Sequence, residues 1–422
     1  MDTIFALSSG APPSAIGIIR ISGPAVKAVL ETVVGGVPRS RVASLRTVRA
    51  EDGSVLDRAL VLWFEGPKSA TGEDLAELHC HGGRAILNAV QARLEKLEGL
   101  RPAEPGEFTR RAFENGRMDL AEAEGLADLL AAETELQRAV AQQQFGGALS
   151  SKVEIWRTRL LGISAQLEAL MDFADEDDVD ADMDGIRTLC SELHSELAKE
   201  IDRPTVEKLR SGIRVVLAGP PNVGKSSLFN RLVDENAAIV SPAAGTTRDM
   251  IERPIAIAGV PIVLVDTAGI HEHTTDEIES IGIERARIEL TRADIVLWLG
   301  PEGQGPPNAI EVGTKADLPK HTKQNALMVS SVSGFGIEML SEFIVRKARE
   351  LLPKPTDISL NQRQRDMLVY ADTALQDVFD QRDPLLVAES LRLARVAFDK
   401  IVGRTSTEDM LDSLFSGFCI GK

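Results

Sequence analysis

The octapeptide Gly219-Pro220-Pro221-Asn222-Val223-Gly224-Lys225-Ser226 constrains this chain more than any other feature. It follows directly on the apolar run Arg214 to Ala218, which reads as a buried strand, and leads into a helix-like segment. Glycines let a backbone wrap phosphate groups, and the N–H groups of the loop and of the helix start point at them. Lys225 supplies a point charge to the outer phosphates, and the Ser226 hydroxyl, followed by Ser227, can ligate Mg2+. By chance such a pattern arises in roughly one or two chains per hundred of this length. Its place between strand and helix lowers that rate further, so a phosphate-binding loop in an α/β sheet is expected.

Two elements follow in the order a nucleotide site needs. Asp266-Thr267-Ala268-Gly269 ends the apolar run Ile262 to Val265, placing Asp266 at a strand terminus near Mg2+ and the Gly269 N–H near a γ-phosphate. Upstream, Gly245-Thr246-Thr247-Arg248-Asp249 supplies loop hydroxyls of the kind that close over a metal ion. Either tetrapeptide alone reads as a turn or a cap; behind a phosphate loop that reading fails. Base choice comes from Thr314-Lys315-Ala316-Asp317: a carboxylate accepts from both N1–H and the exocyclic amine of guanine, a pair adenine lacks. GTPases usually carry Asn where this chain has Thr314, a departure that bears on nucleotide affinity and leaves the Asp317 contact. Val329-Ser330-Ser331 supplies the last base-contacting loop. GTP is expected over ATP.

Many small GTPases place Gln after the D-x-x-G element, but here that position is Ile270, which cannot orient water. Asp276-Glu277-Ile278-Glu279-Ser280-Ile281-Gly282 offers three carboxylates downstream, each readable as an ordinary solvated acid near a helix start.

The flanks differ in texture. Residues 1–118 mix short strand-like runs, such as Ile16 to Ile21 and Leu60 to Phe64, with Gly/Pro punctuation, as in an α+β domain. Residues 119–209 read as long helices, with Trp156, Leu160, Ile163, Leu167 and Leu170 forming one apolar stripe. Residues 210–352 alternate buried-strand runs with helix-like segments, the pattern of a parallel sheet with crossover helices. Helical texture returns over 353–422, where Val387, Leu391, Ala394, Phe398 and Ile401 repeat the stripe. The fold class expected is therefore multidomain α/β: a P-loop domain inserted in a two-part helical domain, behind an α+β N-terminal domain.

At 422 residues two or three domains are expected, and 43% hydrophobic with 26% charged residues is globular composition. No apolar run approaches the roughly 20 residues of a membrane span, and the start lacks the pattern of a signal peptide. Cys80, Cys190 and Cys419 lie too far apart for a disulfide framework and suit a reduced cytoplasm. The net charge of -17 repels nucleic acid at long range, so RNA binding would need a local basic patch or a second protein.

Four further stretches make the chain resemble the tRNA-modification GTPase family MnmE, also called TrmE. They are Asp2-Thr3-Ile4 with Ala15-Ile16-Gly17-Ile18-Ile19-Arg20-Ile21-Ser22-Gly23-Pro24; Thr71-Gly72-Glu73-Asp74 with His81-Gly82-Gly83; Pro105-Gly106-Glu107-Phe108-Thr109; and the terminal Phe418-Cys419-Ile420-Gly421-Lys422. With the P-loop domain, the resemblance runs essentially end to end. It implies a homodimer whose N-terminal domains bind a tetrahydrofolate derivative (the 5-formyl or methylene form). It also implies a flavoprotein partner of the MnmG (GidA) type, in a heterotetramer or larger assembly. Together these would install an aminomethyl-type group on C5 of the tRNA wobble uridine. The resemblance further implies a K+ ion in place of an arginine finger, promoting G-domain dimerisation. Its ligands would be Asn222 and the loop Ser241 to Thr246, including Ala243. The family's catalytic glutamate aligns with Glu279, although this chain is one residue longer before that stretch. For folate the matching positions are Arg20, Glu77, Arg117 and Lys422: cations for glutamyl carboxylates and a carboxylate for pterin N–H groups.

Other signals are weaker. His79-Cys80-His81 lacks a second ligand group at metal spacing, and Asp180 to Gly185 opens a calcium-like loop with Ser191 at its twelfth position. Cys419 reads first as a packed small residue. A GTP-switched ribosome-assembly factor is the competing reading, though such factors carry a basic RNA-binding face. An N-terminal folate scaffold without chemistry of its own is a third.

Overall fold

The computed structural model describes residues 2–172, 183–236, 251–267, 287–319, 323–405 and 407–421. They form two compact units, Met1–Ala127 with Asp399–Lys422, and Asp128–Phe398.

The first unit is built on a sheet of six strands: β1 (Thr3–Leu7), β2 (Ile16–Ser22), β3 (Ser44–Arg49), β4 (Val55–Phe64), β5 (Leu75–His81) and β6 (Leu100–Pro102), in the order β3-β4-β5-β2-β1-β6. All neighbours are antiparallel except β1 and β6. Period-two alternation sorts β2 cleanly: Ile19 and Ile21 are fully buried while Arg20, between them, points to the other face. Helices Val26–Val34 and Arg84–Glu95 cover the buried face, inserting Val26, Val29, Leu30, Leu87, Val90 and Leu94. On the opposite face the helix Glu107–Glu114 packs Phe108 against Ile4, Ala6 and Ala103. The rest of that face is open. Leu45, Leu60, His79 and Ile18 stand in one cross-strand row, with Leu45 61% and Leu60 40% exposed.

The chain returns to this unit at its end. Arg110 on Glu107–Glu114 pairs with Glu408 and Asp412 of the helix Glu408–Ser416, both at 2.6 Å. Phe415 and Phe418 join Leu120, Ala123 and Leu411 in a small core. The final residues then pair Ile420 with Pro105. Gly421 has φ +93, and a Cβ there would sit 2.3 Å from the Leu7 carbonyl, so only glycine closes this approach.

The second unit carries the other sheet: β7 (Ile213–Ala218), β8 (Ile251–Ile257), β9 (Val260–Asp266), β10 (Ile295–Trp298), β11 (Ile310–Gly313) and β12 (Leu327–Met328), in the order β12-β11-β10-β7-β9-β8. All pairs are parallel except β8 with β9. Helices Lys225–Asn236 and Ile337–Leu351 bury Leu228, Leu232, Leu340 and Ile344 against Val215, Leu217 and Leu264. Crossover helices were expected throughout, but β10 and β11 are joined without one. The connection holds Gly300, Pro301, Gly303, Gly305, Pro306 and Pro307, and it wraps the Trp298 indole, whose Nε1 donates to the Pro301 carbonyl at 2.8 Å. Glycine and proline density of this kind cannot sustain a helix.

Helices Ala148–Asp172, Met183–Ile201, Gln362–Asp380 and Pro384–Ile401 lie on either side of that sheet in sequence. The first stripe buries Trp156, Leu160, Ile163 and Leu167 and half-buries Leu170; the second buries Val387, Leu391, Ala394, Phe398 and Ile401. Trp156 stacks on Phe398 with ring centroids 6.0 Å apart, joining segments from before and after the sheet. Among the described residues no helix is long and apolar enough to cross a membrane.

Candidate functional site

β7 ends at Ala218 and the helix Lys225–Asn236 begins six residues on the far side of the glycine loop. Gly219 has φ +149 and packs its α-carbon so close to the Gly300 N–H that a Cβ would lie 2.9 Å from it. Asn222 takes φ +64, a left-handed conformation that Asn tolerates because its short amide bonds locally. The loop thus curls back over the helix start. Lys225 is 5% exposed, and its Nζ donates to the carbonyls of Gly219 at 2.8 Å and Pro220 at 2.9 Å. The ammonium therefore sits inside the loop's own curve, where phosphate oxygens would offer stronger, charged acceptors. Burial pulls the Lys225 pKa below its ordinary value, with the nearby Asp266 carboxylate acting in the opposite direction.

Asp266 closes β9 and is 1% exposed. Thr267 next to it donates its hydroxyl to the Leu217 carbonyl at 2.8 Å, tying the strand end to β7. An exposed Ser226 hydroxyl at the helix start and a buried carboxylate beside Lys225 form a hard-oxygen donor set, which fits Mg2+.

The segment from Thr314 to Asp317, expected from sequence to select the base, folds onto the phosphate loop. Thr314 Oγ1 donates to the Val223 carbonyl at 2.6 Å, and Lys315 Nζ donates to the Asn222 carbonyl at 3.2 Å. Ser330, fully buried, donates its hydroxyl to Asp317 Oδ1 at 2.6 Å and accepts from the Ser333 N–H. Asp317 is exposed at the surface, carrying a carboxylate aimed by a fixed neighbour. Asn222, Val223, Gly224, Lys225, Ser226, Thr314, Lys315, Asp317 and Ser330 are thus drawn together through β7, β11 and β12. Ser227 follows on the helix, exposed. Ser241, Ala243, Thr246, Thr247, Ala268, Gly269, Glu279 and Lys422 lie outside the described residues, as do Asp180 and Asp182 of the calcium-like loop.

In the first unit, register places Arg20 opposite Glu77. Arg20 Nη2 and Nε donate to Glu77 Oε1 at 2.9 and 3.2 Å, and the guanidinium lies 5.7 Å over the Phe108 ring. His79 Nε2 meets Glu77 Oε2 at 3.2 Å. Arg20 and Glu77 therefore stand as one ion pair on the open sheet face, flanked by an aromatic ring. Arg117 is exposed, its stem near Gly72, and no contact brings it to that pair. His81 turns to a different partner, Asp57, at 2.7 Å. The two histidines thus serve separate carboxylates, and no metal-ligand cluster of three occurs among the described residues.

A network that single motifs did not reveal links those motifs. Arg111 pairs with Asp2 at 2.8 Å, Glu73 at 3.1 Å and Glu107 at 3.0 Å, and Arg101 pairs with Glu107 at 2.6 Å. The acids of D-T-I, T-G-E-D and P-G-E-F-T thus converge on one 9%-exposed arginine side chain. The available signal was the presence of at least one acid in each motif together with Arg101 and Arg111.

Comparison with known proteins places these features. A family model described as the MnmE helical domain matches residues 120–419, and one described as the GTP-binding protein TrmE N-terminus matches residues 3–117. A tRNA modification GTPase MnmE of Erythrobacter litoralis is 57% identical over 100% of both chains. One from Novosphingobium aromaticivorans is 53% identical over 100% of both. Among solved structures, the G domain of the T. maritima FeoB iron transporter matches at 27% identity over 32% of this chain and 98% of that one, with a TM-score of 0.23.

Proposed function

Because the chain belongs to the MnmE family of tRNA modification GTPases, we propose that its GTP hydrolysis drives, with a flavoprotein partner of the MnmG (GidA) type, addition of an aminomethyl-type group to C5 of the tRNA wobble uridine. It is a P-loop GTP hydrolase. The observation that carries the proposal is the convergence of Lys225, Asp266, Thr314 and Lys315 around one loop, in a chain matching that family end to end.

In this reading Lys225 leaves its loop carbonyls for the β- and γ-phosphates, neutralising charge that grows at the bridging oxygen. Ser226, Asp266 and Thr247 would hold Mg2+, which would supply positive charge to the phosphates. Asn222, with Ser241, Ala243 and Thr246, would hold K+, which would supply the positive charge an arginine finger brings elsewhere. Glu279 positions the attacking water, and Asp317 with Ser330 selects guanine. Arg20, Glu77, Arg117 and Lys422 hold a tetrahydrofolate derivative, in the 5-formyl or methylene form, which supplies a one-carbon unit. The open sheet face with Leu45 and Leu60 supports a homodimer, since an apolar row in water favours a second copy over solvent. We assign residues 1–118 to the folate unit, 119–209 and 353–422 to the helical domain, and 210–352 to the G domain. A cytoplasmic setting suits three unpaired thiols.

The test is reconstitution: the full chain, the flavoprotein, unmodified tRNA, GTP, MgCl2, KCl, methylene-tetrahydrofolate as the carbon source and an ammonium salt as the source of the amino nitrogen, read by mass spectrometry of tRNA nucleosides. A wobble uridine gaining mass only with GTP present, and lost in Glu279→Ala, supports the proposal. GTP consumption with no modified nucleoside under any folate form would sink it.

A further inference from the structure

The chain carries a net charge of -17, yet its cations are not spread evenly. Residues 39–68 hold six, Arg39, Arg41, Arg46, Arg49, Arg58 and Lys68, against four acids, Glu51, Asp52, Asp57 and Glu65. The acids are engaged elsewhere: Asp57 with His81, Glu65 with Lys27, Glu51 with Lys96, and Asp52 with the Ser54 N–H and hydroxyl. Among the described residues none of the six cations pairs with a carboxylate. Arg41 donates to the Lys68 carbonyl and lies 5.5 Å over the Phe64 ring. Arg49 donates to the Gly53 carbonyl at 2.9 Å, and Arg46 Nε has no hydrogen-bond partner. Elsewhere in the same unit Arg20, Arg101, Arg110 and Arg111 each meet a carboxylate. The positive field of residues 39–68 is therefore uncompensated.

Topology gathers these cations on one border. Strand β3 is the outer strand of its sheet. Arg46 and Arg49 lie on β3, Arg39 and Arg41 on the turn that leads into it, and Arg58 on β4 opposite Thr47. All but half-buried Arg46 are exposed. They border the apolar row of Leu45 and Leu60 at its two ends, and β3 alone spans about 20 Å. Charges on a sheet edge also discourage pairing with another sheet, a role given mostly to Lys. That role does not call for cations on the preceding turn or on β4. Five of the six here are arginines, whose planar fork matches phosphate oxygens bidentately. We propose that this edge docks the phosphodiester backbone of tRNA. It is the local basic patch an acidic chain needs in order to approach nucleic acid. Contacts to phosphates position the RNA and leave its sequence unread. The inference rests on the reading that this chain acts on tRNA.

The experiment is fluorescence anisotropy of labelled, unmodified tRNA on the full chain without nucleotide, in KCl from about 50 to 200 mM. Wild-type affinity is expected to fall with salt at a log–log slope of about 3 to 5. Arg39→Ala, Arg49→Ala and Arg58→Ala should each weaken binding by about threefold to tenfold and lower the slope by about 1. The triple variant should weaken it by about 100-fold, with GTP turnover and the mass seen by light scattering unchanged. Arg253→Ala and Arg382→Ala, at exposed positions of the second unit, should stay within about twofold of wild type. A triple variant with wild-type affinity and slope overturns the proposal. So does one that binds tRNA normally but no longer captures the flavoprotein, which would assign the edge to a protein partner. A triple variant whose mass falls makes the edge a contact between copies, and the proposal fails. Wild type that binds no tRNA even at the lowest salt sinks the tRNA reading itself. Wild-type binding that the triple variant retains leaves that reading standing and removes only this surface.

Discussion

Replacing Phe398 by Ala tests whether one helical core is assembled from segments on both sides of the nucleotide sheet. Phe398 is fully buried and stacks on fully buried Trp156, 6.0 Å between centroids at an interplanar angle of 28°. Truncating a buried Phe costs about 3–5 kcal/mol through lost transfer energy and the cavity left behind. Losing an aromatic pair adds about 0.5–1.5 kcal/mol, so about 3.5–6.5 kcal/mol is expected in total. Against a typical domain stability of about 5–15 kcal/mol, that is about a quarter or more of the whole. The chain has 3 tryptophans, Trp63, Trp156 and Trp298. Changing Trp63 and Trp298 to Phe would leave Trp156 as the reporter, and urea unfolding would follow its fluorescence. Phe335→Ala, at a 61% exposed position, serves as control and should change stability by less than about 0.5 kcal/mol. If Phe398→Ala moved the Trp156 transition no more than the control, the two segments would not share a core. The reasoning would then be refuted.

Two further outcomes follow from the titrating groups. Lys225 has a pKa held below 10.5, chiefly by burial, so in the window from its lowered value up to 10.5 the free native protein binds fewer protons there than the unfolded chain. This group therefore makes free-protein stability rise with pH across that window. Phosphates restore the charge, so GTP binding should take up protons at alkaline pH and weaken as pH climbs. Calorimetry at pH about 9 in two buffers of different ionisation enthalpy would detect the uptake, and identical heats would contradict it. Burial pushes the Cys80 thiol up to about 12, with help from the Asp57 charge, and the Cys190 thiol up to about 11. Cys419 is exposed. Iodoacetamide at pH about 8 should therefore label Cys419 first, with the other two reacting only on unfolding, as peptide mass spectrometry would show.

The parts of the fold legible in sequence were those written in local pattern. β7 and its loop could be read because an apolar run, glycines and a Lys-Ser pair stand side by side. The two helical stripes could be read because 3.6-residue spacing carries burial directly, and ten stripe positions fall on buried or half-buried faces. What escaped was set by distance in the chain or by a missing element. The convergence of Asp2, Glu73, Arg101, Glu107 and Arg111 depends on β1 pairing with β6 and on a helix crossing the sheet, which no window of sequence contains. The passage from β10 to β11 lacks a helix because its Gly and Pro density after Trp298 overrides the alternation of strand and helix that marks the rest of the sheet. In the site, Arg20 and Glu77 match two separate family positions in the sequence. Strand register makes them one ion pair, because Arg20 faces Glu77 directly across β2 and β5. Thr314 was marked as a departure, and only the folded loop discloses that its hydroxyl bridges to Val223.

The most direct test of the account is steady-state GTP turnover by the purified full chain in KCl and in NaCl at equal ionic strength, with Asn222→Ala measured alongside. The account predicts turnover at least about tenfold faster in KCl, because a bound cation at Asn222 replaces an arginine finger at the developing phosphate charge, and loss of that advantage in the variant. Equal rates in both salts would contradict it and would make a partner-activated GTP switch the better description of this chain.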